Sequence, residues 1–265
     1  MSTPLRKAVI PAAGKGTRLL PLTESFPKEM LSVRGHPMIY YTLREAVLSG
    51  VEEVYIVVSR RKGPLWRYLE GEWARDLEGQ GGDLPRLELI EQPEPKGSGE
   101  ALWRVRELVE NGPFAWMMPD FVLFGDRPPL VQMLEAFGRY GADVVGLLEI
   151  TKGRERLFGN VGLVKGEFLS EGVMVIKDLS GKAPGTLPMG GERVYKAVGR
   201  WILSPSIFPL LLQTRGKGEW DDTPALQELC RRQRVLGVLL KGEGFDVGNL
   251  AGYRAACLDG ASGRC

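Results

Sequence analysis

In KAVIPAAGKGTRLLPLTESFPKEM, residues 7–30, an apolar run breaks into Gly14, Lys15, Gly16 and Arg18, and a further cation, Lys28, follows Pro27. A buried strand that ends in small residues leaves backbone N–H groups uncovered, and such groups are a natural seat for phosphate. Gly14 and Gly16 let the backbone approach an anion closely, while Lys15 and Arg18 add positive charge on long side chains. Pro21 and Pro27 stop a long helix and fold the segment back, so Arg18 and Lys28 can converge on one anion. The chemistry this favours is a clamp on a polyphosphate.

Two familiar phosphate motifs fail here. A dinucleotide fingerprint, G-x-G-x-x-G, would need glycine where Leu19 stands, which argues against a nicotinamide-dependent oxidoreductase. A P-loop needs Ser or Thr after Gly-Lys, and Gly16 follows Lys15. The single histidine, His36, lies between Gly35 and Pro37, a turn context that supports no Ser-His-Asp triad. Cys230, Cys257 and Cys265 are too widely spaced for a zinc site or a disulfide framework. A net charge of +2 gives no global field for nucleic acid or a membrane surface, so anion binding must come from local clusters. The N-terminal MSTPLRKAVIPAAG lacks the apolar core of a signal peptide, and no apolar run approaches the ~20 residues of a membrane span. The expectation is a reduced, cytoplasmic protein.

The elements that must position these residues alternate along the chain. A strand at 7–11 is followed by a helix at 39–49, with Ile39, Leu43, Ala46 and Val47 on one face, and by a strand at 53–59. This β-α-β order implies a parallel sheet with crossover helices. The same pattern predicts a helix at 66–77, a Gly-rich loop at 79–85, a strand at 87–91, a helix at 99–109, a strand at 114–118, a helix at 129–140 and a strand at 143–149. From about Thr151 the grain changes. Segments 161–164, 172–176 and 194–202 read as antiparallel strands; a helix at 223–233, a strand at 235–240, the loop GEGFDVGN and a last helix follow. One α/β domain spanning 1–265, with an elaborated second half, is the economical reading.

KAVIPAAGKGTRLLPLTESFPKEML resembles the opening of the sugar-phosphate nucleotidylyltransferases, most closely the bacterial UTP–glucose-1-phosphate uridylyltransferases, whose pattern is roughly G-x-G-T-R-x-x-P-x-T followed by P-K. PMIYYTLREAVLSGVEEVYIVVS, IEQPEPKGSGEAL, FAWMMPDFVLF, VGRWILSPSIFPLL and KGEGFDVGNLAGYRAA extend the likeness in the family's order. The resemblance implies a Rossmann-like α/β fold with a mixed, mainly parallel central sheet and a β-rich sugar-binding elaboration. It assigns nucleotide binding to residues 1–150 and sugar binding to residues 151–265. It also implies the reaction: a sugar-1-phosphate oxygen attacks the α-phosphorus of UTP, or of dTTP, and pyrophosphate leaves. Assembly into a homo-oligomer is left open.

Carried over residue by residue, the resemblance puts the nucleotide on Ala12, Ala13, Gly14 and Gly16, the departing pyrophosphate on Arg18 and the α-phosphate on Lys28. Gln92 and Gly97 would read the base, and Asp120 and Asp246 would hold Mg²⁺, a hard cation suited to few carboxylates completed by phosphates and water. Gly159 would let the sugar approach the backbone, with Asn160 beside it, and Lys177 would meet the sugar phosphate. The match is poorest at the sugar. The family's hydroxyl-gripping Glu aligns with Ile176, and Asp221 and Asp222 are departures expected to cap the helix at 223–233. A transferase for another sugar 1-phosphate, or a sugar-nucleotide-binding homologue of weak or no activity, stays open on that account. Segment 180–194 reads as a loop near the sugar pocket.

Overall fold

The computed structural model describes residues 5–159, 162–181 and 193–258. Asn160 and most of the 180–194 segment lie outside the described residues.

Strand β1 (Lys7–Pro11) leads through the 12–31 loop to a two-residue hairpin, β2 (Ser32–Val33) and β3 (His36–Pro37), then to α1 (Met38–Leu48) and β4 (Glu53–Val58). One helical stretch runs from 63 to 77: α2 (Gly63–Arg67), a π-turn (Tyr68–Glu72) and α3 (Trp73–Leu77). β5 (Arg86–Glu91) follows. The helix expected at 99–109 is two, α4 (Ser98–Arg104) and α5 (Arg106–Val109), broken at Val105. β6 (Phe114–Met117), β7 (Phe121–Phe124), α6 (Pro129–Tyr140) and β8 (Asp143–Ile150) complete the first half.

The second half contains β9 (Leu163–Ser170), β10 (Val173–Leu179), β11 (Val194–Leu203), α7 (Ile207–Gln213), α8 (Thr223–Arg232), β12 (Val235–Leu239), β13 (Glu243–Asp246) and α9 (Leu250–Leu258). β13 occupies the GEGFDVGN stretch expected to be loop. Its period is too short, and too rich in glycine, to announce a strand, and pairing with β7 is what extends it.

Nine strands form one sheet in the order β5-β4-β1-β6-β11-β8-β12-β10-β9. β5, β4, β1 and β6 run parallel, as do β8 and β12. The pairs β6–β11, β11–β8, β12–β10 and β10–β9 are antiparallel, and β9 pairs again with β11, so β8 and four strands of the second half close on themselves. The sheet is therefore mixed, with its four-stranded parallel part in the first half. Alternation along the strands feeds two cores. Ala8, Ile10, Ile56 and Met117 pack with Leu43 and Met133 on one face; Val9, Tyr55, Val57 and Trp116 pack with Leu102 and Leu226 on the other. Both faces being covered, the strands read as continuous apolar runs rather than alternating ones.

The order reverses direction between β1 and β6, since β4 and β5 lie on one side of β1 and β6 on the other. At such a switch point the loops leaving the carboxyl ends of neighbouring strands diverge and open a crevice. The loops concerned are 12–31, after β1, and 118–120, after β6.

Candidate active site

The β1 loop does not enter an α-helix. Gly16 adopts φ +73° and starts a three-residue 3₁₀ turn, Thr17–Leu19; a second 3₁₀ turn, Lys28–Met30, follows Pro27. No helix N-terminus forms here, because Pro21 and Pro27 fall too close behind the turn for a helix to propagate. The folding back does occur. Thr23 Oγ1 donates to the Gly16 carbonyl at 2.8 Å, and a Cβ on Gly16 would stand 3.3 Å from Lys28 Cβ. Leu19, at the third-glycine place of the failed fingerprint, is fully buried among Val122, Phe245 and Val247, and so anchors Arg18 over the β7–β13 ribbon.

That ribbon brings the two aspartates together. Asp246 on β13 lies opposite Phe121, the residue after Asp120. Asp120 Oδ2 accepts from Lys28 Nζ at 2.7 Å and from Arg18 Nη2 at 3.1 Å, and Arg18 Nη1 is 3.9 Å from Asp246 Oδ2. Asp246 Oδ2 also accepts from the Gly159 N–H at 2.9 Å, and its Oδ1 from the Gly248 N–H at 3.1 Å. Gly248 is a residue that motif reasoning missed: a Cβ there would fall 2.5 Å from Asp120 Oδ2 and 2.9 Å from Arg18 Nη2. Burial acts to raise the Asp120 carboxyl, but the Lys28 and Arg18 charges outweigh it and hold the group well below the usual range. Burial likewise acts to lower the Lys28 ammonium, and Asp120 and Glu29 more than compensate, so it stays charged.

A buried ion pair supports this corner. Arg200, 1% exposed, donates to Glu45 Oε2 at 2.8 Å, to the Phe121 carbonyl at 3.0 Å and to the Met118 carbonyl. It therefore grips the chain on both sides of Asp120. Glu45 in turn accepts the Leu130 N–H at 2.9 Å, which ties α6 to the same point. Arg200 lies within the VGRWILSPSIFPLL stretch, but no role was read for it there, because apart from the Gly199 carbonyl its partners are distant in sequence.

Two cavities meet at Arg18. One, of 380 Å³, is lined by Ala13, Gly14, Lys15, Lys28, Gln92 and Gly97 among others. Its neighbour, of 270 Å³, is lined by Asp120, Asp246, Lys196, Asp221 and Asp222 together with apolar groups. Arg18, Ser98 and Met118 belong to both linings. Gln92 is 2% exposed, and its amide donates to the Gly97 carbonyl at 3.2 Å and to Glu100. Gly97 has φ +110°, and a Cβ there would stand 2.2 Å from the Trp220 carbonyl oxygen, so only glycine fits. A larger cavity, of 480 Å³ beside α6, contains none of the expected site residues.

Several expected residues lie elsewhere. Ala12 lines neither of the two cavities; it is fully buried in the core, and its N–H donates to the Val57 carbonyl at 2.7 Å. Gly16 sits beneath the loop rather than in a cavity wall. Gly159 touches Asp246 and is 3.5 Å, at its would-be Cβ, from Arg18. Lys177 lines neither cavity: it sits where the β10 register shifts between Ile176 and Asp178, exposed with Glu167 3.7 Å away, while neighbouring Ile176 is 2% exposed in the core. Lys196 is the cation found at the cavity instead. Burial pushes its ammonium down to about 8, against the pull of Asp246. Asp221 does cap α8, accepting the Thr223 N–H at 3.0 Å; Asp222 is instead held by Ser98 Oγ and by Trp116 Nε1, both at 2.7 Å. Burial raises the Asp222 carboxyl to about 6.

A switch-point crevice with a cation-lined cavity on one side and paired aspartates on the other is the architecture of a nucleotidyl-transfer site. The nucleotidyl transferase family model matches residues 7–262, and the chain belongs to that family. It is similar to UTP–glucose-1-phosphate uridylyltransferase of Bacillus subtilis (strain 168), at 31% identity over 96% of this chain and 90% of the relative. It is 32% identical to a second enzyme of that organism bearing that name, YngB, over 95% of this chain and 88% of the relative. Among solved structures, UDP-glucose pyrophosphorylase complexed with UDP-glucose superimposes with TM-score 0.82 at 32% identity, covering 98% of this chain and all of that one. UTP-bound UGPase from Acinetobacter baumannii gives TM-score 0.78 at 26% identity, over 96% and 93%. The chain is thus an enzyme of the uridylyltransferase-like nucleotidyltransferases with the expected α/β fold. Among the described residues no helix is long and apolar enough to cross a membrane.

Proposed function

We propose that the chain transfers a uridylyl group from UTP to glucose 1-phosphate with the help of Mg²⁺, releasing pyrophosphate. The observation that carries this reading is the sharing of Arg18 between the two cavities, one suited to a nucleoside triphosphate and the other to a phosphorylated sugar. The substrates for which its relatives are named, UTP and glucose 1-phosphate, and the UDP-glucose and UTP of the similar structures supply the particular pair.

The sugar phosphate oxygen is anionic near neutral pH and needs no general base. Its bond to the α-phosphorus forms as the bond to the β-phosphate oxygen breaks, and that electron pair leaves with pyrophosphate. Catalysis is then alignment and neutralisation of charge. Phosphate oxygens would compete with Asp120 for Lys28 and Arg18, so binding the nucleotide releases the carboxylate that those cations hold. Gly14, Lys15 and Ala13 border the phosphates, and Gln92 and Gly97 the base. Asp120 and Asp246 fit Mg²⁺ on donor chemistry: two hard carboxylates suit an ion that completes its shell with phosphate and water. When bound, the ion would neutralise phosphate charge as the reaction proceeds. Residues 1–150 and 151–265 act in this reading as one unit, because each supplies one of the aspartates.

A coupled pyrophosphate-release assay over UTP, dTTP and a panel of sugar 1-phosphates tests the proposal. UTP with glucose 1-phosphate is expected to turn over fastest; release with no pair, in the presence of Mg²⁺, would refute it. The burial of Ile176 favours a second reading, a different sugar, since an isoleucine cannot accept from a hydroxyl. Faster release with another sugar 1-phosphate would establish that reading.

A further inference from the structure

A lysine ammonium taken out of water is costly, and proteins keep such groups where a charge compensates them. Lys196 is 5% exposed, yet it lines the 270 Å³ cavity in company with Arg18, Asp120 and Asp246. β11 delivers it there: Lys196 pairs with Leu148 of β8 on one side and with Leu163 of β9 on the other, so the backbone beneath it is held from both directions. Just beyond, the β8 register shifts between Ala197 and Trp201, and the Gly199 carbonyl accepts the Met118 N–H at 2.8 Å. The irregularity parts β11 from β8 at the cavity wall.

The same cavity extends to Asp221 and Asp222 at the start of α8. Its lining is therefore cationic and metal-binding in character at one end, and rich in carboxylate acceptors at another. A phosphate ester that also carries several hydroxyls answers both. Lys177 offers no competing cation, because it stands on the exposed face of β10 beside Glu167.

We propose that Lys196 is the residue that binds the phosphate of the acceptor sugar 1-phosphate. The assignment rests on the nucleotidyl-transfer reading and moves the acceptor cation from β10 to β11. Lys196 holds the acceptor phosphate through N–H donors while one of its free oxygens attacks the α-phosphorus; Lys196 itself neither gains nor loses a proton in that step. Asp221, from α8, accepts from the sugar hydroxyls.

Initial rates with glucose 1-phosphate varied at saturating UTP, and the converse, on Lys196→Met, Lys196→Arg and Lys177→Met test this. Lys196→Met is expected to raise KM for the sugar phosphate by about tenfold or more, the usual consequence of losing a charged hydrogen bond, with KM for UTP within about twofold. Lys196→Arg restores much of the loss, and Lys177→Met resembles the unaltered chain. Equal shifts in both KM values, no shift, or a sugar-side defect in Lys177→Met overturns the assignment. Should Lys196→Met not fold, Lys196→Arg and Asp221→Asn decide: the arginine variant must keep KM for the sugar phosphate close to that of the unaltered chain, and the asparagine variant must raise it without raising KM for UTP. If the unaltered chain releases no pyrophosphate, the nucleotidyl-transfer reading falls, and calorimetry with glucose 1-phosphate still judges Lys196. Binding that Lys196→Met abolishes sustains the proposal; binding that it leaves intact, or none at all to the unaltered chain, ends it.

Discussion

Lys28 Nζ lies 2.7 Å from Asp120 Oδ2, although 92 residues separate them, and Arg18 reaches the same oxygen at 3.1 Å. Two cations from the loop after β1 thus converge on one carboxylate at the end of β6. Lys28→Met is expected to lower kcat by about 10²–10³-fold, the scale of removing one preorganised group that stabilises developing charge. Rapid-quench or steady-state pyrophosphate release checks this, with a melting curve to confirm that the fold persists. A loss of turnover matched by a collapse of the fold would assign Lys28 to structure instead.

The paired aspartates predict metal dependence. A chelator should abolish pyrophosphate release and Mg²⁺ should restore it. Asp246→Asn should raise the Mg²⁺ concentration for half-maximal activity by at least about tenfold, the low end of what altering a metal's surroundings does. Activity that ignores both the chelator and the substitution would remove Asp246 from the metal site.

Gly248 tests the packing of the same corner. Adding one methyl, Gly248→Ala, puts a Cβ 2.5 Å from Asp120 Oδ2 and 2.9 Å from Arg18 Nη2. The Asp120 and Arg18 side chains must move aside to clear it, and kcat should fall while the melting temperature changes little. Unimpaired turnover would show that this geometry tolerates displacement.

Arg200 acts through the chain on either side of Asp120. Arg200→Met leaves Glu45 buried without its cation, and breaking such a pair costs about 3–5 kcal/mol. Urea unfolding at neutral pH measures it. A loss under about 1 kcal/mol would contradict this, because even taking up a proton at neutral pH would cost Glu45 about 3 kcal/mol.

Asp222 gives a pH signature. Burial raises its carboxyl from 3.8 to about 6, so the folded chain binds that proton more tightly than the unfolded chain. Above about pH 6 the group is charged in both states and its burial is a constant cost. As pH falls from 6 towards 3.8, the folded state alone takes up the proton and this contribution to stability rises, by up to about 3 kcal/mol. The stability of the unaltered chain relative to Asp222→Asn should therefore increase between pH 6.5 and 4, read by urea titrations at each pH (about two and a half units of range). A flat difference would contradict it.

Much of the first half was legible in the chain because its signals are local. Lys7–Pro11 and Glu53–Val58 are apolar runs bounded by breakers, and Ile39, Leu43 and Val47 keep helical spacing, so strand, helix and strand need no distant partner to be recognised. The prolines at 21 and 27 likewise announced that Arg18 and Lys28 would meet. The glycine-flanked Asp246 stretch looked like loop, since a four-residue strand with glycine at its centre forms only when β7 supplies its hydrogen bonds.

The order of residues by itself determined the cation loop after β1: the glycines, their cations and the strand that launches them are consecutive, and covalent proximity does the positioning. Only the tertiary structure decided what surrounds the neighbouring cavity. There Lys196, Asp222 and Arg200 come from β11 and from the start of α8, and whether each faces solvent, core or cavity depends on register and burial. A one-residue change of register sends a strand's side chain to the opposite face, which is why Lys177 reads so well in the sequence and yet stands outside, while Lys196 stands within.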